Sequence, residues 1–206
     1  MNSQQIKEIL LSEIHEVSIN YEKYCNDPKR DFSRKRKLPF ELMLKNIIGM
    51  GSKSITNELI DIFQASGEMP SASAFVQQRT KIKPEALKAV FDGFMSRILA
   101  SADKMRILAV DGSDIQIETN PKDKMSHIST SIDKKSFNLL HLNALYDLEE
   151  HVYTDAIIQA AKSQNEHGAL NEMVDRSEIP KALVIADRGY ESYNDMAHIQ
   201  EKGWFF

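Results

Sequence analysis

The sequence predicts an α/β protein in which an all-helical N-terminal region, residues 1–104, precedes a mixed sheet over residues 105–206. Three observations carry this. Apolar residues recur at three- and four-residue spacing through the first hundred positions. From Met105 onward the period shortens to that of strands. Two of the later apolar runs, Arg106-Ile107-Leu108-Ala109-Val110-Asp111-Gly112 and Leu183-Val184-Ile185-Ala186-Asp187-Arg188-Gly189, each read as a buried strand that stops on a carboxylate and turns on a glycine.

The helices follow in order. Ile6, Ile9, Leu10, Ile14, Val17, Tyr21 and Tyr24 mark one amphipathic helix. A basic stretch follows, then a second helix over Phe40–Met50, broken by Gly49, Gly51 and Ser52. A third runs from about Ser54 to Ala65 and stops before Gly67. Ser71 is the expected N-cap of a fourth, and Pro84 opens a fifth with Leu87, Val90, Phe91, Phe94, Ile98 and Leu99 on its apolar face. The third and fourth helices form a candidate helix-turn-helix. The fourth would present Gln77, Gln78, Arg79 and Lys81, residue types that hydrogen-bond base edges or phosphates. Helix pairs with short turns also occur in many proteins that never touch DNA.

In the second half, Ile107–Val110 is a strand that Ile115-Gln116-Ile117 can extend, and Asn120–Ser136 reads as a polar loop. Phe137–Tyr146 and His151–Ile158 form a hairpin around Asp147-Leu148-Glu149-Glu150. A helix over Glu166–Val174, a strand over Leu183–Ala186 and a helix over Tyr193–Glu201 follow, and Trp204-Phe205-Phe206 starts a further strand. Three antiparallel strands followed by a helical crossover to a fourth is the order of a ribonuclease-H-like sheet. In that order the first and fourth strands are neighbours. Asp111 and Asp187 would then converge. An Asp-Gly pair after a strand is also a common turn. Two unpaired carboxylates at adjacent strand ends, however, repel each other, and a hard divalent cation such as Mg²⁺ or Mn²⁺ removes that cost. Asp114 and Asp147 read as solvated, and Asp155 lies on the hairpin with its face undetermined.

Composition narrows the class. The chain has 206 residues and a formal net charge of −4. Residues 1–105 carry 16 Lys/Arg against 13 Asp/Glu, a net of +3, and the remainder carries 10 against 17, a net of −7. The basic excess peaks at Pro28–Lys37, where Lys29, Arg30, Arg34, Lys35, Arg36 and Lys37 face a single acid, Asp31. Such a segment can neutralise DNA phosphates or be a solvated loop. No apolar run approaches the ~20 residues that span a bilayer, and the polar N-terminus is not a signal peptide. The single cysteine, Cys25, excludes an internal disulfide and a Cys-based zinc site and fits a reducing cytoplasm. The six histidines lack metal-ligand spacing, and His141 reads as a satisfied strand residue. There is no P-loop, dinucleotide fingerprint or Gly-x-Ser-x-Gly elbow.

The segment Ile185-Ala186-Asp187-Arg188-Gly189-Tyr190-Glu191-Ser192-Tyr193 resembles the second-aspartate motif of DDE transposases of the insertion-sequence-4 type. Leu108-Ala109-Val110-Asp111-Gly112-Ser113 resembles their first-aspartate motif. Leu140–Asp147, Tyr153–Gln159 and Ser71–Arg79 are similar to further segments of that group. The resemblance implies a ribonuclease-H-like catalytic core behind a helical DNA-binding region in a bacterial, nucleoid-associated protein. It implies nicking at transposon ends with Mg²⁺ or Mn²⁺, then transfer of the freed 3′-hydroxyl to target DNA. It assigns Asp111 and Asp187 as two of three carboxylates around a two-metal site. Double-stranded DNA is the implied partner, with self-association or pairing with a full-length transposase beside it.

One departure stands out. The family's glutamate lies on a late helix well after the second aspartate, and Glu191 and Glu201, the only glutamates after Asp187, do not match it. The expectation is therefore a truncated or partial copy with little or no strand transfer, poorly buried Trp204, Phe205 and Phe206, and marginal stability. Two other readings stand beside it. One is a non-catalytic DNA-binding remnant. The other is a different ribonuclease-H-like nuclease that uses a further acid such as Asp155.

Overall fold

The computed structural model describes residues 2–34, 37–64, 66–67, 69–99, 104–129 and 135–206, and the chain divides into two units, Met1–Ser101 and Ala102–Phe206. The first unit is helical: α1 (Ser3–Ile19), α2 (Phe40–Gly49), α3 (Ile55–Phe63), α4 (Ala72–Arg79) and α5 (Glu85–Leu99). Asn2 and Gln5 start α1 with a reciprocal capping box, each side chain accepting the other's backbone N–H at 2.9 Å. The apolar spacing through Tyr24 does not make one helix. α1 stops at Ile19, and Tyr21–Tyr24 tighten into a 3-10 turn that sets Cys25 in a β-bridge with Ile82. Ile14 and Val17 of α1, Phe40 and Leu44 of α2, and Ala86 and Val90 of α5 close one core around Cys25. Burial, with Asp31 adding to it, pushes the Cys25 thiol up to about 11, which leaves it an inert thiol.

A second cluster joins Leu38, Met43, Leu59 and Phe75. Glu58 accepts the backbone N–H groups of Gly51 (3.1 Å) and Lys53 (2.9 Å) and so fastens the turn between α2 and α3. On α5 the buried positions are Ala86, Val90, Met95 and Ile98, whereas Phe91 and Phe94 are only half-buried. Ser71 caps α4 as expected, its hydroxyl oxygen accepting from Ala74 N–H at 3.2 Å. Ser71→Ala should lower the unfolding free energy by about 1 kcal/mol, read as a shifted urea midpoint at unchanged slope.

The second unit is built on a sheet of β1 (Arg106–Ile117), β2 (His127–Ile128), β3 (Phe137–Asp147), β4 (Val152–Ala160) and β5 (Ala182–Ile185), with α6 (Glu166–Arg176) before β5 and α7 (Tyr193–Glu201) after it. The order is β4-β3-β1-β5, with the two-residue β2 beside the start of β3. β1 does not turn at Gly112. Its antiparallel ladder with β3 runs unbroken from Leu108 opposite Asp147 to Ile117 opposite Asn138, and these paired positions override the local turn preference of Asp-Gly. β5 lies parallel to β1, as the element order requires, with Arg106 opposite Ala182 and Ala109 opposite Ile185. Alternation along β1 buries Arg106, Leu108 and Val110 on one face, the face shared by Ala182, Val184 and Leu145. α6 buries Ala169, Leu170, Met173 and Val174 and contacts β3, β4 and α7.

The expected polar loop after β1 carries β2 because the buried Asn138 ties it down. Asn138 accepts from Asn120 N–H (2.8 Å) and donates to Asn120 O (3.1 Å) and Ser126 Oγ (2.7 Å). Two expected solvated or unplaced acids are held in ion pairs. Asp147 is fully buried against Arg106 at 2.6 Å. Asp155 receives Nε and Nη2 of Arg176 on α6, both at 2.7 Å. Trp204 is buried, not poorly buried as expected, and its indole N–H donates to Ile179 O at 3.0 Å. Phe205 bridges to Leu183 along the free edge of β5, and Phe205 and Phe206 are exposed.

Candidate active site

The parallel register of β1 and β5 pairs residues 76 positions apart, Arg106 with Ala182 through Ala109 with Ile185. Asp111 and Asp187 each lie two residues beyond the last of these pairs, Ala109 with Ile185. Asp111 is an exposed mid-strand residue opposite Ala144 of β3, and its carboxylate accepts the N–H of Gly112 at 2.9 Å. Asp187 caps a one-turn 3-10 helix, Arg188–Tyr190, and accepts the N–H of Gly189 at 2.7 Å. Neither carboxylate is ion-paired to a cationic side chain among the described residues.

Tyr190, the last residue of that turn, is buried, with its hydroxyl lacking a hydrogen-bond partner among the described residues. Burial pushes this phenol well above its ordinary range, and the carboxylates of Glu166, Asp111, Asp187 and Asp195 push it further. Asp195 itself is buried, accepting from Asn171 Nδ2 at 3.0 Å and paired with His167 Nδ1 at 2.5 Å. On β3, opposite Asp114, the buried His141 sits between two acids, its Nδ1 2.9 Å from Asp114 Oδ1 and its Nε2 2.9 Å from Glu166 Oε1.

The donor set suits a hard divalent cation. It consists of the exposed carboxylates of Asp111 and Asp187, to which no lysine or arginine is paired among the described residues. Mg²⁺ is commonly held by one or two carboxylates, with water and substrate phosphate supplying the rest. Among the described residues no group of three or more His, Cys, Asp or Glu side chains is placed to hold a metal ion. No described helix is long and apolar enough to cross a membrane.

The nucleic-acid candidates of the first unit divide. Arg30, Arg34, Gln78 and Lys81 line one cavity of about 470 Å³, together with Lys29 and the acids Asp27 and Asp31. Gln78 is turned inward and buried, its Oε1 without a partner, so it does not project from a recognition helix. Arg79 is exposed and does not line this cavity, and Lys37 is tethered to Gly67 O at 3.1 Å. Lys35 and Arg36 lie outside the described residues. Sequence reasoning missed Glu166, Tyr190 and Asp195. Glu166 and Asp195 sit among other polar residues at helix starts, and no local pattern marks them. His141 and Asp114 were visible, but their contact joins two strands.

The family model for the transposase DDE domain matches residues 102–206, a little over half of the chain and the whole of the sheet-bearing unit. The chain belongs to the DDE transposases. No curated protein matches it. The family defines an enzyme class that acts on DNA in transposition, and it typically uses a divalent metal.

Proposed function

We propose that residues 105–206 form a ribonuclease-H-like core that hydrolyses phosphodiester bonds at the ends of an insertion sequence of the insertion-sequence-4 type. Residues 1–104 form its DNA-binding region, and the protein works on double-stranded DNA in the bacterial cytoplasm. The observation that supports the reading is the parallel register of β1 and β5, beyond whose last pair Asp111 and Asp187 each follow by two residues.

Asp111 and Asp187 would hold Mg²⁺ or Mn²⁺. Held there, such an ion would supply Lewis acidity toward the scissile phosphate and the attacking water or 3′-hydroxyl. The chain's part is preorganisation. The Gly112 and Gly189 amides hold the two carboxylates in place, and the ladder with β3, which runs through Asp111 opposite Ala144, keeps Asp111 from moving with a loop. Nicking of supercoiled DNA, with Mg²⁺ or Mn²⁺ and with chelator, tests the reading. Relaxation that needs the cation and is lost in Asp187→Asn supports it; cation-independent relaxation overturns it.

The first unit's cavity supports phosphate binding, because it gathers Lys29, Arg30, Arg34 and Lys81 from two separated segments. Arg30→Gln and Lys81→Gln should each weaken binding across all sequences and flatten the log–log salt slope by about 1. Gel-shift titrations at several salt concentrations measure this. A slope unchanged in both variants removes the cavity from the interface.

A further inference from the structure

We infer that the basic cavity of the first unit is a site for a nucleoside monophosphate, with the phosphate on its cations and an amine-bearing base, adenine above all, against Gln78. The inference rests on the reading of that cavity as a phosphate site given above, and it adds a base to that site.

Two segments build the cavity. Residues 27–34 wind into a turn in which Asp27 O accepts the N–H groups of Arg30 (3.1 Å) and Asp31 (2.8 Å), and Ser33 Oγ donates to Arg30 O at 2.9 Å. The chain just before this turn is fastened to the end of α4. Asn26 N–H donates to Lys81 O at 2.9 Å, and Asn26 Nδ2 donates to Thr80 O at 2.7 Å. The walls are therefore set before a ligand arrives, which lowers the ordering cost of binding. A volume of about 470 Å³ falls within the range of small-molecule sites, roughly 300–1,000 Å³.

The lining supplies a cationic and an apolar part. Lys29, Arg30, Arg34 and Lys81 are the cations, and none of them is ion-paired among the described residues. The two acids beside them are engaged by backbone groups. Asp31 Oδ2 accepts Asp27 N–H at 2.9 Å, and Asp27 Oδ1 accepts Lys29 N–H at 3.2 Å. Four cations against two held acids leave an excess that a dianionic phosphate matches. Phe32 and Leu38 add an apolar wall. Phe32 stands edge-on to Phe40, with ring centroids 5.2 Å apart, and has a φ of 55°. This left-handed backbone is strained for an aromatic residue, and such strain clusters at ligand sites.

Gln78 selects the base. It lines the cavity from α4, is 7% exposed, and its Oε1 has no partner among the described residues. Cations alone would serve any phosphate, which has no need of a buried carboxamide. A side-chain amide matches adenine, donating to N7 and accepting from the N6 amine. An orphaned buried acceptor costs free energy that such a donor recovers.

Isothermal titration of the full chain with AMP, UMP and inorganic phosphate tests the inference. AMP should bind about tenfold or more tighter than inorganic phosphate, and tighter than UMP, whose base carries no exocyclic amine. Gln78→Met keeps the length of the side chain and removes the amide. It should weaken AMP roughly tenfold and leave inorganic phosphate unchanged. Its urea midpoint should hold or rise, because an orphaned buried polar atom is deleted. A merely structural glutamine would leave the ratio of AMP to phosphate affinity as it is. Arg34→Gln, on the exposed turn, should weaken every phosphate-bearing ligand. Single-stranded oligo(dA) separates the two sources of the nucleotide, and either result supports the site. Competition with AMP assigns it to an unpaired nucleotide of a strand, and AMP binding that the strand leaves unchanged assigns it to the free nucleotide. Equal affinities for AMP and inorganic phosphate, or a wild-type affinity ratio in Gln78→Met, overturn the inference alone. No binding of any of the three ligands, or wild-type affinities in Arg34→Gln, overturn the phosphate reading of the cavity and the inference with it.

Discussion

Arg106→Ala should destabilise the sheet unit by about 3–5 kcal/mol, the cost of leaving a buried charge without its partner. Arg106 and Asp147 are 2% and 0% exposed at the side chain, with Nη1 2.6 Å from Oδ2. Burial alone would raise the Asp147 carboxyl. The backbone N–H of Glu150, the Arg106 guanidinium and the N–H of Glu149 outweigh it and hold the group below the ordinary carboxylate range. Removing the guanidinium deletes one of these counterweights and leaves the burial. The paired replacement Arg106→Met with Asp147→Leu is expected to recover much of the loss, because two apolar side chains need no mutual compensation. Urea unfolding of the three proteins measures this, and equal midpoints for wild type and Arg106→Ala contradict it. The pH dependence has a definite sign. A carboxyl whose folded pKa is depressed contributes stability that is present above its unfolded value of about 3.9. That stability is lost as pH falls through the lower folded value. Asp147→Asn should therefore flatten the acid limb of the stability curve below about pH 4.

The same ion pair shows where sequence reading stops. Asp147 sits at a hairpin turn flanked by Leu148, Glu149 and Glu150, which is the local signature of a solvated acid. Its partner is 41 residues earlier, and only the β1–β3 ladder brings the two together. Gly112 is a second case. Asp-Gly favours a turn by its own conformational freedom, yet the paired positions along β3 carry the strand through it to Ile117. Gln78 is a third, because the short α4 gave no periodicity strong enough to show which of its glutamines faces inward. What was legible depended on runs and order. The apolar runs before Asp111 and Asp187 located β1 and β5, and the succession of strands and helices made them neighbours. The Ser71 cap was legible because the N-cap interaction is local. The contact between Glu166 and His141 was not legible, because it arises where the start of α6 lies against a glycine on β1, and neither residue carries a motif of its own.

Asp111→Asn and Asp187→Asn should each lower cation-dependent nicking on the order of 10³-fold, since a catalytic cation contributes several kcal/mol and each 1.36 kcal/mol is tenfold. Asparagine keeps the size of the side chain and an oxygen that can still accept the Gly112 or Gly189 N–H, so the local turn geometry survives the change. What is lost is one of two negative charges at the focus. Both aspartates are exposed and neither is ion-paired among the described residues. Each variant should therefore fold as the wild type does, and relief of like-charge repulsion should leave it as stable or slightly more stable. Loss of activity with retained or increased stability separates a cation ligand from a structural aspartate such as Asp147, whose replacement lowers stability. The double variant sharpens the distinction. If the two carboxylates serve one ion, removing the second costs far less than removing the first, because residues that act as a unit are not additive. Plasmid nicking rates with Mn²⁺ for the two single variants and the double variant, with urea midpoints measured in parallel, decide the matter. Additive losses in rate, or a fall in stability matching the fall in activity, would sink the assignment of Asp111 and Asp187 to a shared cation.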